Sequence, residues 1–271
     1  MVVAMSVLET TDTAAAQPVL VRRDGPAAWV TLNRPAQRNA LNVELMQEMI
    51  ATLRRLGADR DVRAIVIEGA GPAFCAGHDL SEMVGRDLPF YQHVFDLCTE
   101  TMEAIHQVPQ PVIARVHGIA TAAGCQLVAA CDLAVAAEGA RFATPGVKIG
   151  LFCSTPMVPL SRAIGRKRSL EMLLTGTPID APTALDWGLL NRVVAADALD
   201  ATVAGLVDAI ARSSSLTVTV GKEAFYAQVD LDEPGAYDLT KSVMATNMMA
   251  ADAQEGIGAF LEKREPTWTG R

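Results

Sequence analysis

Short β-branched runs alternate with helix-patterned stretches through the first half of this chain, and that alternation restricts the fold more than any other feature. The runs are VLVRR from Val19, AAWVTLN from Ala27, VRAIVIEGA from Val62, PVIARVHG from Pro111 and DLAVAA from Asp132. Strands separated by helical stretches fold as β/α units, so an α/β architecture is expected. Between the second and third runs, Leu45, Met46, Met49, Ile50 and Leu53 recur at helical spacing behind Asn42. This predicts an amphipathic helix over 43–56 with Asn42 as its N-cap. Further on, the strand signal fades and the pattern predicts helices over 169–174, 181–190, 199–212 and a long stretch from Tyr237 to Arg264. No fixed-period repeat or low-complexity linker separates the two parts, so they are expected to pack together. The expected organisation is a loosely ordered tail over 1–17, a β/α core over 18–200 and a helical region over 201–271.

With 271 residues, half of them hydrophobic, the chain has the means to bury a large core. Its net charge of -8 argues against nucleic acid as the main partner, because binding phosphates needs clustered Lys and Arg. The five cysteines, at 75, 98, 125, 131 and 153, show no CxxC spacing. An odd, unpaired set reads as reduced intracellular thiols, with neither a disulfide framework nor a metal site indicated. The first residues carry Glu9 and Asp12 and no basic stretch ahead of an apolar one, which leads to the expectation of a cytoplasmic protein. The longest apolar run, Gly118 to Ala137, is built of small residues and interrupted by Gln126 and Asp132; it is expected to be a buried segment and not a membrane span.

Two loops carry the chemistry. GAGPAFCAGHDLSEM, from Gly69 to Met83, follows a strand, and Gly77 lets the backbone bend so that the N–H of His78 can point into a pocket. VHGIATAAGCQLVAAC, from Val116 to Cys131, leads from a strand into an apolar helix whose start at Ala122 to Gly124 presents free N–H groups and the positive end of a helix dipole. Two such donors converging on one oxygen form an oxyanion hole.

Taken with LNRPAQRNALN (Leu32 to Asn42), ARFATPGVKIGL (Ala140 to Leu151), RAIGRKRSLEMLLTG (Arg162 to Gly176) and AFLEKR (Ala259 to Arg264), these loops resemble the crotonase, or enoyl-CoA hydratase/isomerase, superfamily over nearly the whole chain. The resemblance implies a spiral β/α core, a helical trimerisation region, and a homotrimer or homohexamer. It implies an acyl-coenzyme A thioester as substrate, with coenzyme A part of that substrate and no separate cofactor or metal. The oxyanion donors fall on the backbone of His78 and Ala123. Arg38, Ala40, Leu41, Ala76, His78 and Asp79 correspond to the wall that receives the coenzyme A moiety. Phe260 and Lys263 match positions that reach the adenine and phosphates, commonly from a neighbouring subunit; their alternatives are a core aromatic and a solvated helix charge.

The family's hydratases use two glutamates, one to activate water and one to deliver a proton. At those positions this chain has Gln126 and Gly146. Gln126 can orient water but cannot take its proton, and Gly146 has no side chain. Losing such assistance typically costs about 10²- to 10⁴-fold per group. The sequence therefore keeps the polarising apparatus without the standard proton machinery. Other polar residues have readings of their own. The His78 imidazole touches substrate or leaves the role to its backbone; a histidine also stands here in the family's methylmalonyl-CoA decarboxylases. Asp79 is expected to cap the next helix, and Asp132 to support the second loop through backbone hydrogen bonds. Cys153, Ser154 and Thr155 are candidates for the acyl pocket and Thr144 for a hydrogen-bond donor, while His93, His106 and His117 read as structural or surface residues. Pocket depth is expected to depend on the 85–100 region and on Phe152. Three functions stay open: an enolate-forming enzyme of the hydratase/isomerase type, a malonyl-type decarboxylase, and a non-catalytic acyl-CoA binder or regulator.

Overall fold

The computed structural model describes residues 17–271, so most of the tail expected over 1–17 lies outside the described residues. In chain order the first part is β1 (Val19–Asp24), β2 (Ala27–Leu32), α1 (Val43–Gly57), β3 (Ala64–Gly69), β4 (Ala73–Cys75), α2 (Leu80–Met83), α3 (Leu88–Gln107), β5 (Val112–Val116), β6 (Ile119–Thr121), α4 (Ala123–Ala130), β7 (Leu133–Ala137) and β8 (Arg141–Ala143). Then follow α5 (Met157–Ile164), α6 (Arg166–Thr175), β9 (Ile179–Asp180), α7 (Ala181–Trp187), β10 (Arg192–Val194), α8 (Leu199–Ala211), α9 (Ser215–Gln228), α10 (Glu233–Asn247) and α11 (Ala251–Glu262).

The strands form two sheets. Six lie in the order β1-β2-β3-β5-β7-β10, parallel except for β1 against β2, and four lie in the order β4-β6-β8-β9, parallel except for β9. From β3 to β8 the chain crosses between sheets at every step: β3, β5 and β7 enter the large sheet, and β4, β6 and β8 the small one. Each turn of this winding adds one strand to each sheet, which is a spiral. It places the segments that follow β4, β6 and β8 at one end of the small sheet, the carboxyl end where parallel strands present ligands.

The central strands are mostly apolar because both faces are covered, with Glu68 and Arg115 as charged exceptions that pair with each other. Val30, Leu32, Ile65, Ile67, Val112 and Phe142 are buried in the main core together with Leu45, Met46, Met49 and Leu53 of α1. Asn42 caps α1 as expected, its side chain accepting the N–H of Leu45 at 3.0 Å. A second core lies under α8, where Leu199, Val203 and Val207 meet Trp29, Val66 and Val135. The run from Gly118 to Ala137 is divided among β6, α4 and β7 and is largely buried. Among the described residues no single helix is long and apolar enough to cross a membrane.

The C-terminal region departs from the expectation in detail. The long stretch from Tyr237 to Arg264 is two helices, α10 and α11, with a break at Met248–Ala250. Helix α9 has no counterpart in the sequence reading, because its Thr217-Val218-Thr219-Val220 run looks strand-like; Ser214 caps it by accepting the N–H of Thr217 at 3.2 Å. Strands β9 and β10 also escape the pattern, being only two and three residues long.

Candidate active site

Three loops meet at the carboxyl end of the small sheet. The first leaves β4 and carries His78. The second leaves β6 and becomes α4 at Ala123. The third leaves β8 and carries Pro145 and Gly146. Because β4, β6 and β8 are neighbouring parallel strands, their exits are adjacent whatever the separation in sequence.

Close backbone packing brings the two donor loops into contact. Gly77 has φ 96°, and a Cβ there would lie 2.9 Å from the Cβ of Ala122 and 3.5 Å from the amide nitrogen of Ala123. At Gly124, a Cβ would lie 2.1 Å from the carbonyl oxygen of Cys75, so the start of α4 sits directly on β4. Both glycines are there for approach, and the first also for its positive φ. Ala122 takes φ 49° and ψ -117°, a conformation that costs a non-glycine residue about 1–3 kcal/mol and turns the chain from β6 into α4.

Among the described residues the two N–H groups have no backbone acceptor, for simple geometric reasons. His78 forms a parallel bridge with Leu41, in which Leu41 donates to the carbonyl of Gly77 at 2.7 Å and Asp79 donates to the carbonyl of Leu41 at 2.9 Å. In an extended strand successive N–H groups alternate sides, so that of His78 points away from Leu41. Ala123 is the first residue of α4, whose N–H has no intrahelical partner. The preceding N–H, of Ala122, is tied to the carbonyl of Ala143 at 2.8 Å, which holds the second loop to β8.

A buried residue from outside the loops fixes the first of them. Asn39, at φ 56° and fully buried, donates from Nδ2 to the carbonyls of Ala70 and Ala73, each at 2.8 Å, and accepts the N–H of Arg34 at 2.9 Å. Thr121 Oγ1 donates to the carbonyl of Ala76 at 3.0 Å, joining the two loops. The sequence motif around Asn39 was legible, but not this role, because its partners lie about thirty residues away in sequence. Asn39→Ala orphans buried carbonyls, and we expect it to lower stability by about 2–4 kcal/mol in a denaturant titration.

His78, Ala123, Ala76 and Gly146 border one cavity of about 410 Å³, together with Phe95, Phe152, Cys153, Ser154 and Thr155. Phe95, from the 85–100 region, and Phe152 both line the cavity. The His78 ring stands edge-on to Phe95 with centroids 5.5 Å apart, and among the described residues neither of its nitrogens meets hydrogen-bond geometry, the Leu41 backbone being only near enough to offset part of the effect of burial. Burial lowers its pKa to about 4, so the imidazole is neutral at pH 7. Burial likewise raises the Cys153 thiol, which keeps it protonated. Among the described residues no aspartate or glutamate lines this cavity.

The remaining sequence-selected residues have varied surroundings. Gln126 is buried and faces a neighbouring cavity of about 660 Å³, with its Oε1 3.6 Å from Cys98 Sγ; Thr155 lines both spaces. Gly146 is closed over: a Cβ would meet the carbonyl oxygen of Leu151 at 2.0 Å and Cys153 Sγ at 2.8 Å. Thr144 is fully buried and its hydroxyl has no partner. Asp79 caps α2, accepting from the N–H of Ser81 at 3.1 Å, and pairs with Arg34 at 2.9 Å. Arg38, in the left-handed region at φ 51°, is exposed and accepts the N–H of Ala76 through its carbonyl at 3.0 Å; Ala40 and Leu41 are buried behind it. Phe260 is 81% exposed, which removes the core-aromatic alternative, and Lys263 is exposed at the end of α11. His106 stacks on Tyr226 with centroids 4.0 Å apart, and Asp132 accepts from the N–H of Val112 at 2.6 Å, from Tyr226 and from Lys222, which makes both structural.

Comparison with known proteins agrees with this architecture. A family model for enoyl-CoA hydratase/isomerase matches residues 23–271. The rat enoyl-CoA hydratase domain-containing protein 3, mitochondrial, is 44% identical over 241 residues, covering 89% of this chain and 80% of the relative. A probable enoyl-CoA hydratase, echA8, of Mycobacterium bovis is 36% identical over 260 residues, covering 94% of this chain and 99% of the relative. Among solved structures, a Mycobacterium smegmatis enoyl-CoA hydratase superposes with a TM-score of 0.91 at 49% identity, covering 93% of this chain and 98% of the other. The human enoyl-CoA hydratase domain-containing protein 3 superposes at 0.90 and 43% identity, covering 93% and 100%. The spiral of paired sheets, the family model spanning nearly the full length and these relatives agree, and the chain belongs to the enoyl-CoA hydratase/isomerase family, within the crotonase superfamily.

Proposed function

We propose that this protein is an acyl-CoA thioester enzyme that holds the thioester carbonyl between the N–H groups of His78 and Ala123 and stabilises an enolate there, without the two-carboxylate chemistry of a hydratase. The observation that carries this reading is the pairing of two unpartnered N–H donors with a cavity that has no carboxylate in its lining. The donors and the positive end of α4 oppose the negative charge that grows on the thioester oxygen. Neutral His78 and the protonated Cys153 add no competing negative charge. In the same reading Arg38, Ala40, Leu41, Ala76 and Asp79 flank the coenzyme A moiety, and Phe260 and Lys263 approach it from a neighbouring protomer of a homotrimer. The exposure of Phe225, Tyr237, Met244, Phe260 and Leu261 on the C-terminal helices, and of Met249 between two of them, supports such an assembly.

The carboxylate-free cavity favours one reaction in particular. In decarboxylation of a malonyl-type thioester the C–C bond breaks, carbon dioxide leaves, and the electron pair moves onto the thioester as an enolate that the two N–H groups hold. A proton from water then closes the α-carbon, so no protein carboxylate has to remove one from carbon. The test offers crotonyl-CoA and methylmalonyl-CoA in parallel. The expected outcome is carbon dioxide release from methylmalonyl-CoA with no hydration of crotonyl-CoA above background. Hydration at ordinary enzymatic rates rejects the proposal; tight binding of both with turnover of neither replaces it with a non-catalytic acyl-CoA binder.

A further inference from the structure

The lining of the thioester cavity is electrically one-sided. Of its sixteen residues only Lys148 carries a charge at neutral pH, since His78 is neutral and no acid is present. Lys148 stands on the short helical turn Pro145–Ile149 that also carries Gly146. Its side chain runs beside Gly176, where a Cβ would come within 3.2 Å of Lys148 Cε, so the glycine leaves room for the lysine stem. Among the described residues the ammonium has neither an ion pair nor a hydrogen bond, unlike Arg34, Arg115, Arg162, Arg168 and Lys222. Lys148 contributes to the lining of the cavity that also borders the two N–H donors, and an unpaired cation there attracts an anion and repels none.

We infer that Lys148 selects a thioester whose acyl group itself bears a carboxylate, a malonyl-type group, over neutral acyl groups. This rests on the acyl-CoA reading above and adds to it the charge of the acyl group and the residue that reads it. The phosphates of coenzyme A share the chemistry of an anion, but a cavity of about 410 Å³ suits the acyl and thioester end of the ligand, and it is this cavity that Lys148 lines. Lys148 is exposed to solvent, so its attraction is screened. That suits a capturing residue: a strong, dry ion pair would hold the carboxylate in place and oppose its loss.

The experiment compares full-length wild type with Lys148→Met and Lys148→Glu, measuring affinity for malonyl-CoA and acetyl-CoA by calorimetry and checking that each thioester stays intact by mass spectrometry. If malonyl-CoA is consumed, the same contrast is read as KM. Wild type is expected to prefer malonyl-CoA. Lys148→Met should weaken malonyl-CoA about threefold to fivefold, and Lys148→Glu about tenfold, with acetyl-CoA changed by less than twofold. Equal loss for both thioesters places Lys148 on a coenzyme A phosphate and overturns the inference while leaving the acyl-CoA reading intact. So does an absence of preference in wild type. If wild type binds neither thioester, the acyl-CoA reading fails first and this inference with it.

Discussion

Ala123→Pro is expected to lower turnover of whichever thioester the enzyme consumes by about 10²- to 10³-fold, roughly 2.7–4 kcal/mol of transition-state stabilisation, and also to lower stability, because Ala122 at φ 49° and ψ -117° lies outside the extended region that a residue before proline takes. Proline removes one N–H and fixes φ near the helical value, and the first position of a helix accepts it because that N–H joins no intrahelical bond. Ala123 holds that position in α4, and the neighbouring bond from Ala122 to the carbonyl of Ala143, which anchors the loop to β8, does not involve it. The added ring carbon replaces the lost hydrogen and so projects into the cavity. Two measurements separate catalysis from folding. The far-ultraviolet circular dichroism should stay near that of wild type while Tm falls, and turnover is compared well below the lower Tm. The infrared carbonyl band of a bound ¹³C-labelled thioester should lose part of its shift, a readout that works even where turnover is slow. Unchanged turnover and an unchanged carbonyl band in a folded variant would remove Ala123 from the oxyanion hole.

The second large effect concerns the hydratase positions. Installing glutamates as Gln126→Glu with Gly146→Glu is expected to yield no crotonyl-CoA hydratase and to destabilise the protein by about 3 kcal/mol or more, a fall in Tm of about 5–10 °C. Gly146 is occupied from outside: Leu151 donates its N–H to the Gly146 carbonyl at 3.0 Å, and its own carbonyl oxygen lies 2.0 Å from where a Cβ would be. Any side chain must first break open the turn from Pro145 to Cys153. Gln126 fails differently. It is buried, touches Cys98 and faces the adjoining cavity, so a glutamate there is desolvated, its pKa rises, and it becomes a poorer base. A double variant that hydrates crotonyl-CoA with the wild-type Tm would overturn this account.

The two substitutions mark where sequence reading stops. That Gln126 and Gly146 stand at the glutamate positions is a matter of motif alignment. That they lie in different surroundings, one against Cys98 and the other beneath Leu151, depends on which way each side chain points, and neither residue's neighbours in sequence reveal that. Helix α9 was hidden for a related reason. Its β-branched run has strand propensity, and tertiary packing against α3 and α10 overrides that local preference.

What the sequence by itself determined was the alternation of strands and helices, the capped amphipathic helix α1, and the two glycine-bent loops with His78 and Ala123. These follow from periodicity, capping and backbone freedom, which act over a few residues. What only the tertiary structure decided was their convergence. Parallel pairing of β4, β6 and β8 brings three distant loops to one end of the small sheet. Gly77 and Gly124 let them touch, Asn39 holds the first in place, and the resulting cavity retains one lysine and no acid. Such a balance of charge is a property of enclosed space, and a chain acquires it only when residues far apart in sequence share a wall.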